Sequence, residues 1–262
     1  MPFSTATLII LLLWVASGGL LIRNIQLRRR LRKARAELAQ KPRVVHVPHV
    51  VRDAPVPKQT HRETLLAKLG LEAADLPAGG DWRAGDDLLN ILVDHIFDAC
   101  PDFVVECGSG LSTAVLAQAL KLNGQGHLFT LEHDIVYLEE TKALLDRLGV
   151  GERVTLIEAP LVDYGPTGKW YDRAGLEPLP ARIDLLLVDG PPVFAGKAAR
   201  YPAGPELFAR LSRQAVVILD DGRRNREQKA LRMWRGEYPD LHQQAAGTQK
   251  GAVVLRREGD IE

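Results

Sequence analysis

Residues 103–110 read Phe-Val-Val-Glu-Cys-Gly-Ser-Gly, an apolar run that meets an acid, Glu106, and two closely spaced glycines, Gly108 and Gly110. Ser109 sits between the glycines, and an apolar helical run, Ala114 to Leu122, follows Ser112 and Thr113. A strand that turns through glycines straight into a helix points bare N–H groups and a helix N-terminus at a bound ligand. Any Cβ at the glycines would hold that ligand off. The chemistry this suits is binding of a nucleotide-like cofactor. The dinucleotide fingerprint Gly-x-Gly-x-x-Gly is not completed, because Thr113 stands where its third glycine would be, so NAD is not supported.

A second acid strengthens the site. Residues 127–132 alternate toward a strand ending on Glu132, and Ile135 to Leu148 reads as an amphipathic helix. A carboxylate at the tip of the second strand lies beside the first strand's glycine loop, where it accepts both hydroxyl protons of a ribose. A lone acid there also serves as a loop or capping residue; its place in the βαβ order favours the ribose.

A third group stands at later strand ends: Asp189 after 183–188, and Asp220 and Asp221 after 215–219. These tips are neighbours on the carboxyl edge of a doubly wound sheet, next to the cofactor crevice. The three carboxylates suit one Mg²⁺ or Mn²⁺ with open positions for substrate oxygens. Alternatively, one of them acts as a base without metal. Turn chemistry alone accounts for some of the acids in Asp189-Gly190-Pro191-Pro192 and Asp220-Asp221-Gly222. Arg200, Tyr201, Arg223 and Arg224 add cations and a phenol near the same edge, suited to an acidic or hydroxylated acceptor. The arginines tilt the balance slightly to metal-free action. Trp170-Tyr171, in a long glycine-bearing stretch between the third and fourth strands, reads either as a lid or acceptor wall or as a hydrophobic plug on the sheet edge.

The elements that position these residues follow from the periodicity. Strands are expected at 103–107, 127–132, 154–158, 183–188 and 215–219, and helices near 112–122, 135–148, 202–212 and 225–236. Helices at 61–70 and 84–98 precede them, and strands at 241–246 and 251–256 close the chain. Five βα units make a doubly wound parallel sheet with right-handed crossovers, and the short loop between the last two strands makes one of them antiparallel. The expected class is α/β, a seven-stranded Rossmann-like sheet.

Six motifs in register carry a resemblance. They are Glu-x-Gly-Ser-Gly-x-Ser-Thr at 106–113, Glu-His-Asp at 132–134, Ala-Pro-Leu at 159–161, Val-Asp-Gly-Pro-Pro at 188–192, Arg-Tyr-Pro-Ala at 200–203, and Asp-Asp-Gly-Arg-Arg at 220–224. Over about residues 60–257 the chain resembles the class I S-adenosylmethionine-dependent methyltransferases, closest to a bacterial membrane-anchored branch. The resemblance implies that Glu106, Gly108, Ser109 and Gly110 hold the methionine end and ribose of S-adenosylmethionine. It further implies that Glu132 takes the ribose hydroxyls, His133 flanks the adenine, and Ala159-Pro160-Leu161 line the adenine pocket. The expected activity is methyl transfer, with O-methylation of a sugar, polysaccharide precursor or small phenol in front. An NAD-type oxidoreductase and a non-catalytic membrane-tethered cofactor-binding scaffold are the alternatives.

The front of the chain is of a different kind. Thr5 to Ile22 holds no charged residue, and as a helix these 18 residues reach roughly 27 Å, enough for a hydrocarbon core. No basic residue precedes the run, as a signal peptide requires, and eight Lys/Arg with one acid follow it over residues 23–41. The expectation is an uncleaved single-pass anchor in the inner membrane, with the catalytic part in the cytoplasm. Outside 23–41 there are 26 basic and 32 acidic residues, which argues against nucleic acid as a partner. The chain divides into an anchor (1–22), a basic juxtamembrane helix with a Pro-rich linker (23–58) and the methyltransferase domain (59–262). Leu27, Leu31, Ala34 and Leu38 form a helical stripe that leaves a homodimer open. His46 and His49 in the linker read as solvated bystanders, and Cys100 and Cys107 as buried free thiols.

Overall fold

The computed structural model describes residues 60–77 and 84–257. The expected anchor, basic helix and linker, with His46 and His49, lie outside them. Among the described residues no helix is long and apolar enough to cross a membrane.

Two helices come first, α1 (His61–Leu69) and α2 (Asp86–Ala99). Thr60 and Glu63 close a capping box at the start of α1, and Gly70 ends it in the left-handed region. The βα units then run β1 (Phe103–Cys107), α3 (Leu111–Asn123), β2 (His127–Glu132), α4 (Ile135–Leu148) and β3 (Val154–Glu158). After an insertion come β6 (Ile183–Val188), α6 (Ala203–Leu207), β7 (Leu211–Leu219), α7 (Asn225–Glu237), β8 (Leu241–Ala245) and β9 (Val253–Arg257). The seven-stranded sheet has the order β3-β2-β1-β6-β7-β9-β8. All neighbours are parallel except β9, which runs against β7 and β8. The chain leaves β1 toward β2 and later returns to β1's other side as β6. The switch point therefore falls between the tips of β1 and β6, where such sheets bind ligands.

Strand alternation feeds two apolar layers. Val104, Leu128, Leu185 and Val216 pack with Leu65, Leu92 and Leu116 from α1, α2 and α3. Val105, Leu131, Leu186 and Val217 face the other way, onto Trp170, Leu207 and Trp234.

The insertion, read from the sequence as a loop, contains a small hairpin, β4 (Leu161–Asp163) against β5 (Lys169–Tyr171), followed by α5 (Arg173–Leu176). Three residues per strand are too few for a period to show. The hairpin tip is strapped to the loop after β6: Ala198 N–H donates to the Thr167 carbonyl at 3.0 Å, and Gly168 lies against Gly196 so closely that a Cβ on either would clash. Gly168 also has φ +128, a conformation that favours glycine.

The helix expected at 202–212 is shorter. α6 stops at Leu207, a 3₁₀ turn covers Phe208–Arg210, and β7 already begins at Leu211. The first part of β7 carries Ser212, Arg213 and Gln214, where the register with β6 shifts between the Ile183–Leu211 and Leu185–Val216 pairs.

Candidate active site

Four strand tips converge on one cleft of about 290 Å³, lined among others by Gly108, Ser109, Glu132, His133, Asp189, Gly190 and Arg200. That lies near the low end of the ~300–1,000 Å³ of small-molecule sites.

The floor is the turn from β1 into α3. Glu106 is fully buried; its Oε2 accepts from Thr113 Oγ1 at 2.6 Å and Thr130 Oγ1 at 2.9 Å. Burial pushes its pKa up to about 7, against the hydroxyl hydrogen bonds that favour the charged form. Thr113, the residue that spoils the dinucleotide fingerprint, also accepts from the Gly110 N–H at 2.9 Å. Gly108 has φ +94, and a Cβ on it would press on Gly190 N at 3.2 Å, so the β1 and β6 tips meet glycine to glycine. At Gly110, φ +150, a Cβ would meet no protein atom within 4 Å. Gly110 does not itself line the cleft; its φ is one that favours glycine.

Glu132 at the β2 tip organises the next wall. Its Oε2 accepts from the Ser109 N–H at 2.8 Å and Ser109 Oγ at 3.0 Å. Its Oε1 accepts from the N–H groups of His133 at 2.7 Å and Asp134 at 2.9 Å, with His133 Nδ1 at 2.8 Å. Burial alone would raise its pKa, but the hydrogen bonds from His133, Asp134 and Ser109 outweigh it and hold the carboxyl below its ordinary value. Glu132 is therefore an ionised acceptor at the tip of β2. Beyond it, His133 and Phe194 face each other at 6.3 Å between ring centroids, with Tyr137 nearby on the same cleft.

The opposite wall is built on Arg200, only 4% exposed. Its Nη2 donates to Asp189 Oδ1 at 3.0 Å, to Asp221 Oδ2 at 3.2 Å and to the Asp189 carbonyl, and Nη1 donates to the Asp220 carbonyl at 2.9 Å. Nε lies 3.7 Å from Glu227 Oε1, and Arg224 Nη1 adds a 2.7 Å bridge to Asp221. One guanidinium thus ties the tips of β6 and β7 to α7. Burial raises the pKa of Asp189 to about 7; Arg200 opposes this, and the charges of Asp220 and Asp221 add to it. Asp220 is pushed up by burial and by Asp221, and neither of its carboxylate oxygens has a protein partner.

The structure brings together Gly108, Ser109, Glu132, His133, Asp189, Arg200 and Asp221 on the cleft, with Glu106 and Asp220 buried behind it. It does not bring Tyr201. The chain turns after Arg200 so that the phenol donates to the Glu237 carboxylate on α7 at 2.8 Å, away from the cleft. Ala159 is fully buried, its N–H bonded to the Glu132 carbonyl at 2.7 Å, and it supports the β2 tip rather than lining the cleft. Of the two arginines after Asp221, Arg223 turns away to the Gln249 carbonyl and Arg224 bridges to Asp221. Sequence reasoning missed Glu227, whose signal is a carboxylate in the first turn of α7 that ends up 3% exposed.

The arrangement fits S-adenosylmethionine: glycine backbone for the methionine end, an ionised acid for the ribose, and no phosphate cradle. The donor set fits a hard cation as well, since ligand atoms of Asp189, Asp220 and Asp221 all lie within 4.8 Å of one another.

Residues 105–222 match the family described as "Methyltransferase domain". Among solved structures the chain is similar to an S-adenosylhomocysteine-bound methyltransferase from Podospora anserina, with TM-score 0.55 and 17% identity over 76% of this chain and 87% of that one. It is also similar to an O-methyltransferase from Bacillus cereus in complex with S-adenosylhomocysteine (TM-score 0.52, 18% identity, 78% and 94% covered). A third is the Streptomyces achromogenes O-methyltransferase involved in tomaymycin synthesis, in complex with S-adenosylmethionine (0.52, 17%, 78% and 92%). No curated protein matches the chain. The segment that matches this family model holds the glycine turn, Glu132 and the three aspartates, and the likeness to the solved structures is one of methyltransferase fold.

Proposed function

We propose that this domain methylates an oxygen of a hydroxylated acceptor, a sugar, polysaccharide precursor or small phenol. The observation that carries this reading is Asp189, a carboxyl whose pKa lies near neutrality and which sits on the cleft beside the Gly108–Gly190 contact. Such a group is matched to taking a hydroxyl proton at cellular pH. S-adenosylmethionine, held by the Gly108 turn and Glu132, would supply an activated methyl group for the acceptor oxygen and would leave as S-adenosylhomocysteine. The residues of this chain orient the two reactants and hold the proton on Asp189.

A second reading rests on Asp220, whose two buried oxygens have no protein partner. Asp189, Asp220 and Asp221 would hold Mg²⁺ or Mn²⁺, which would polarise the acceptor oxygen as a Lewis acid. Arg200 already supplies one positive charge between Asp189 and Asp221, which favours the metal-free form. The uncharged run Thr5–Ile22 and the basic residues after it support an inner-membrane protein with its domain in the cytoplasm.

The test is incubation of the full chain with methyl-labelled S-adenosylmethionine and membrane or polysaccharide fractions. Label in an ether of a glycan or phenol is the expected result. Label confined to nitrogen, or no transfer to any fraction, contradicts it. With chelator present, turnover that persists but fails in Asp189→Asn supports the metal-free base. Turnover abolished by chelator and restored by Mg²⁺ or Mn²⁺ supports the metal.

A further inference from the structure

Tyr171 ends β5 of the inserted hairpin, and its ring belongs to the apolar layer under the sheet. The residue is 2% exposed, and Trp170 meets it edge-on at 4.9 Å. To that extent the pair is the hydrophobic plug that its sequence allows. The hydroxyl is the exception. It is buried, it has no hydrogen-bond partner in the protein, and Tyr171 lines the cofactor cleft. More than nine in ten buried polar groups find a partner, and an unmade bond costs stability that Phe at the same place would not lose.

The position of this hydroxyl selects the partner. A Cβ on Gly190 would collide with it and would crowd the Cys107 carbonyl and Gly108 Cα, both at 3.0 Å. The phenol therefore stands beneath the contact between the β1 and β6 tips. Burial, helped by the nearby Cys107 and Glu132, keeps the phenol protonated well beyond neutral pH despite Arg200, so it is a permanent donor. Hairpin bonds fix its placement: Asp172 N–H to the Pro160 carbonyl at 2.9 Å and Tyr164 N–H to the Gly168 carbonyl at 2.7 Å.

We propose that Tyr171 is a cofactor-binding residue whose phenol hydrogen-bonds the amino-carboxylate end of S-adenosylmethionine from below the glycine crevice. This rests on the methyltransferase reading and adds to it a residue from outside the βα framework. The inserted hairpin then has a function: it delivers one hydroxyl to the switch point of the sheet.

The experiment is calorimetric titration of the full chain and of Tyr171→Phe with two ligands. S-adenosylhomocysteine carries the amino-carboxylate; 5′-methylthioadenosine shares the adenosine and thioether but lacks it. In the variant the affinity for S-adenosylhomocysteine should fall about tenfold, while that for methylthioadenosine stays unchanged and the melting temperature does not fall. Unchanged affinity for both ligands overturns the role of Tyr171 and leaves the methyltransferase reading standing. Equal losses for both, or a lowered melting temperature, show that the hydroxyl acts through the fold and also overturn it. Wild-type protein that binds neither ligand overturns the methyltransferase reading, and this proposal with it.

Discussion

Arg200→Ala is expected to destabilise the domain by about 3–5 kcal/mol, the scale of removing one partner from a buried ionic cluster. Arg200 contacts Asp189, Asp221 and Glu227 while itself 4% exposed, so alanine leaves those carboxylates facing one another, with Asp220 alongside. Arg224 still reaches Asp221, which keeps the loss from being larger. Lysine should not rescue, because a single ammonium cannot span the acids and the two strand-tip carbonyls that the guanidinium fork bridges.

The pH dependence has a definite sign. Removing the cation raises the folded-state pKa values of Asp189, Asp220 and Glu227 still further above their unfolded values, so the folded variant binds more protons than the unfolded chain. Its stability is then fully present below the ordinary carboxylate range and is lost as pH rises through the raised values, Asp189 standing at about 7 even in the wild type. The deficit against wild type should therefore be small near pH 4 and largest above pH 7 in urea denaturation. A deficit that does not change with pH would mean that packing of the Arg200 stem, not its charge, is what alanine removes.

Glu132→Ala is expected to weaken S-adenosylhomocysteine binding by about 1–3 kcal/mol, the cost of taking a charged acceptor from two ribose hydroxyls. The structure adds a reason for the upper half of that range. Glu132 also accepts the N–H groups of Ser109, His133 and Asp134, so its loss loosens both walls of the nucleoside end. Unfolding should stay cooperative, because the apolar layers do not depend on this carboxylate. Unchanged affinity by titration calorimetry would reduce Glu132 to a cap for the turn that starts α4.

Where a segment's physics is periodic, the sequence is enough. β1, β2, β3 and β6 lie where alternation and apolar runs put them, and their order with the intervening helices brings Glu106, Glu132, Asp189 and Asp220 to one edge. Arg200 was legible as a cation near that edge. What it bonds was not, because its place depends on the loop between β6 and α6, and adjacent Tyr201 takes the opposite direction to Glu237. The β4–β5 hairpin was hidden by its three-residue strands, which left open the choice between lid and plug for Trp170 and Tyr171; both are buried. The extended start of β7 was hidden because Ser212, Arg213 and Gln214 carry no apolar alternation and fall where the register with β6 shifts. Ala159 was carried over from the resemblance to the adenine wall; in this chain its N–H fastens the β2 tip, and His133, Tyr137 and Phe194 face the cleft instead.

The central claim is that the crevice between the β1 and β6 tips holds an adenosyl cofactor without pyrophosphate. Calorimetric titration of the purified full chain with S-adenosylmethionine, S-adenosylhomocysteine and NAD tests it most directly. Binding of both adenosyl ligands at one site per chain, with no heat from NAD, is the predicted result. Binding of NAD with neither adenosyl ligand bound would contradict it.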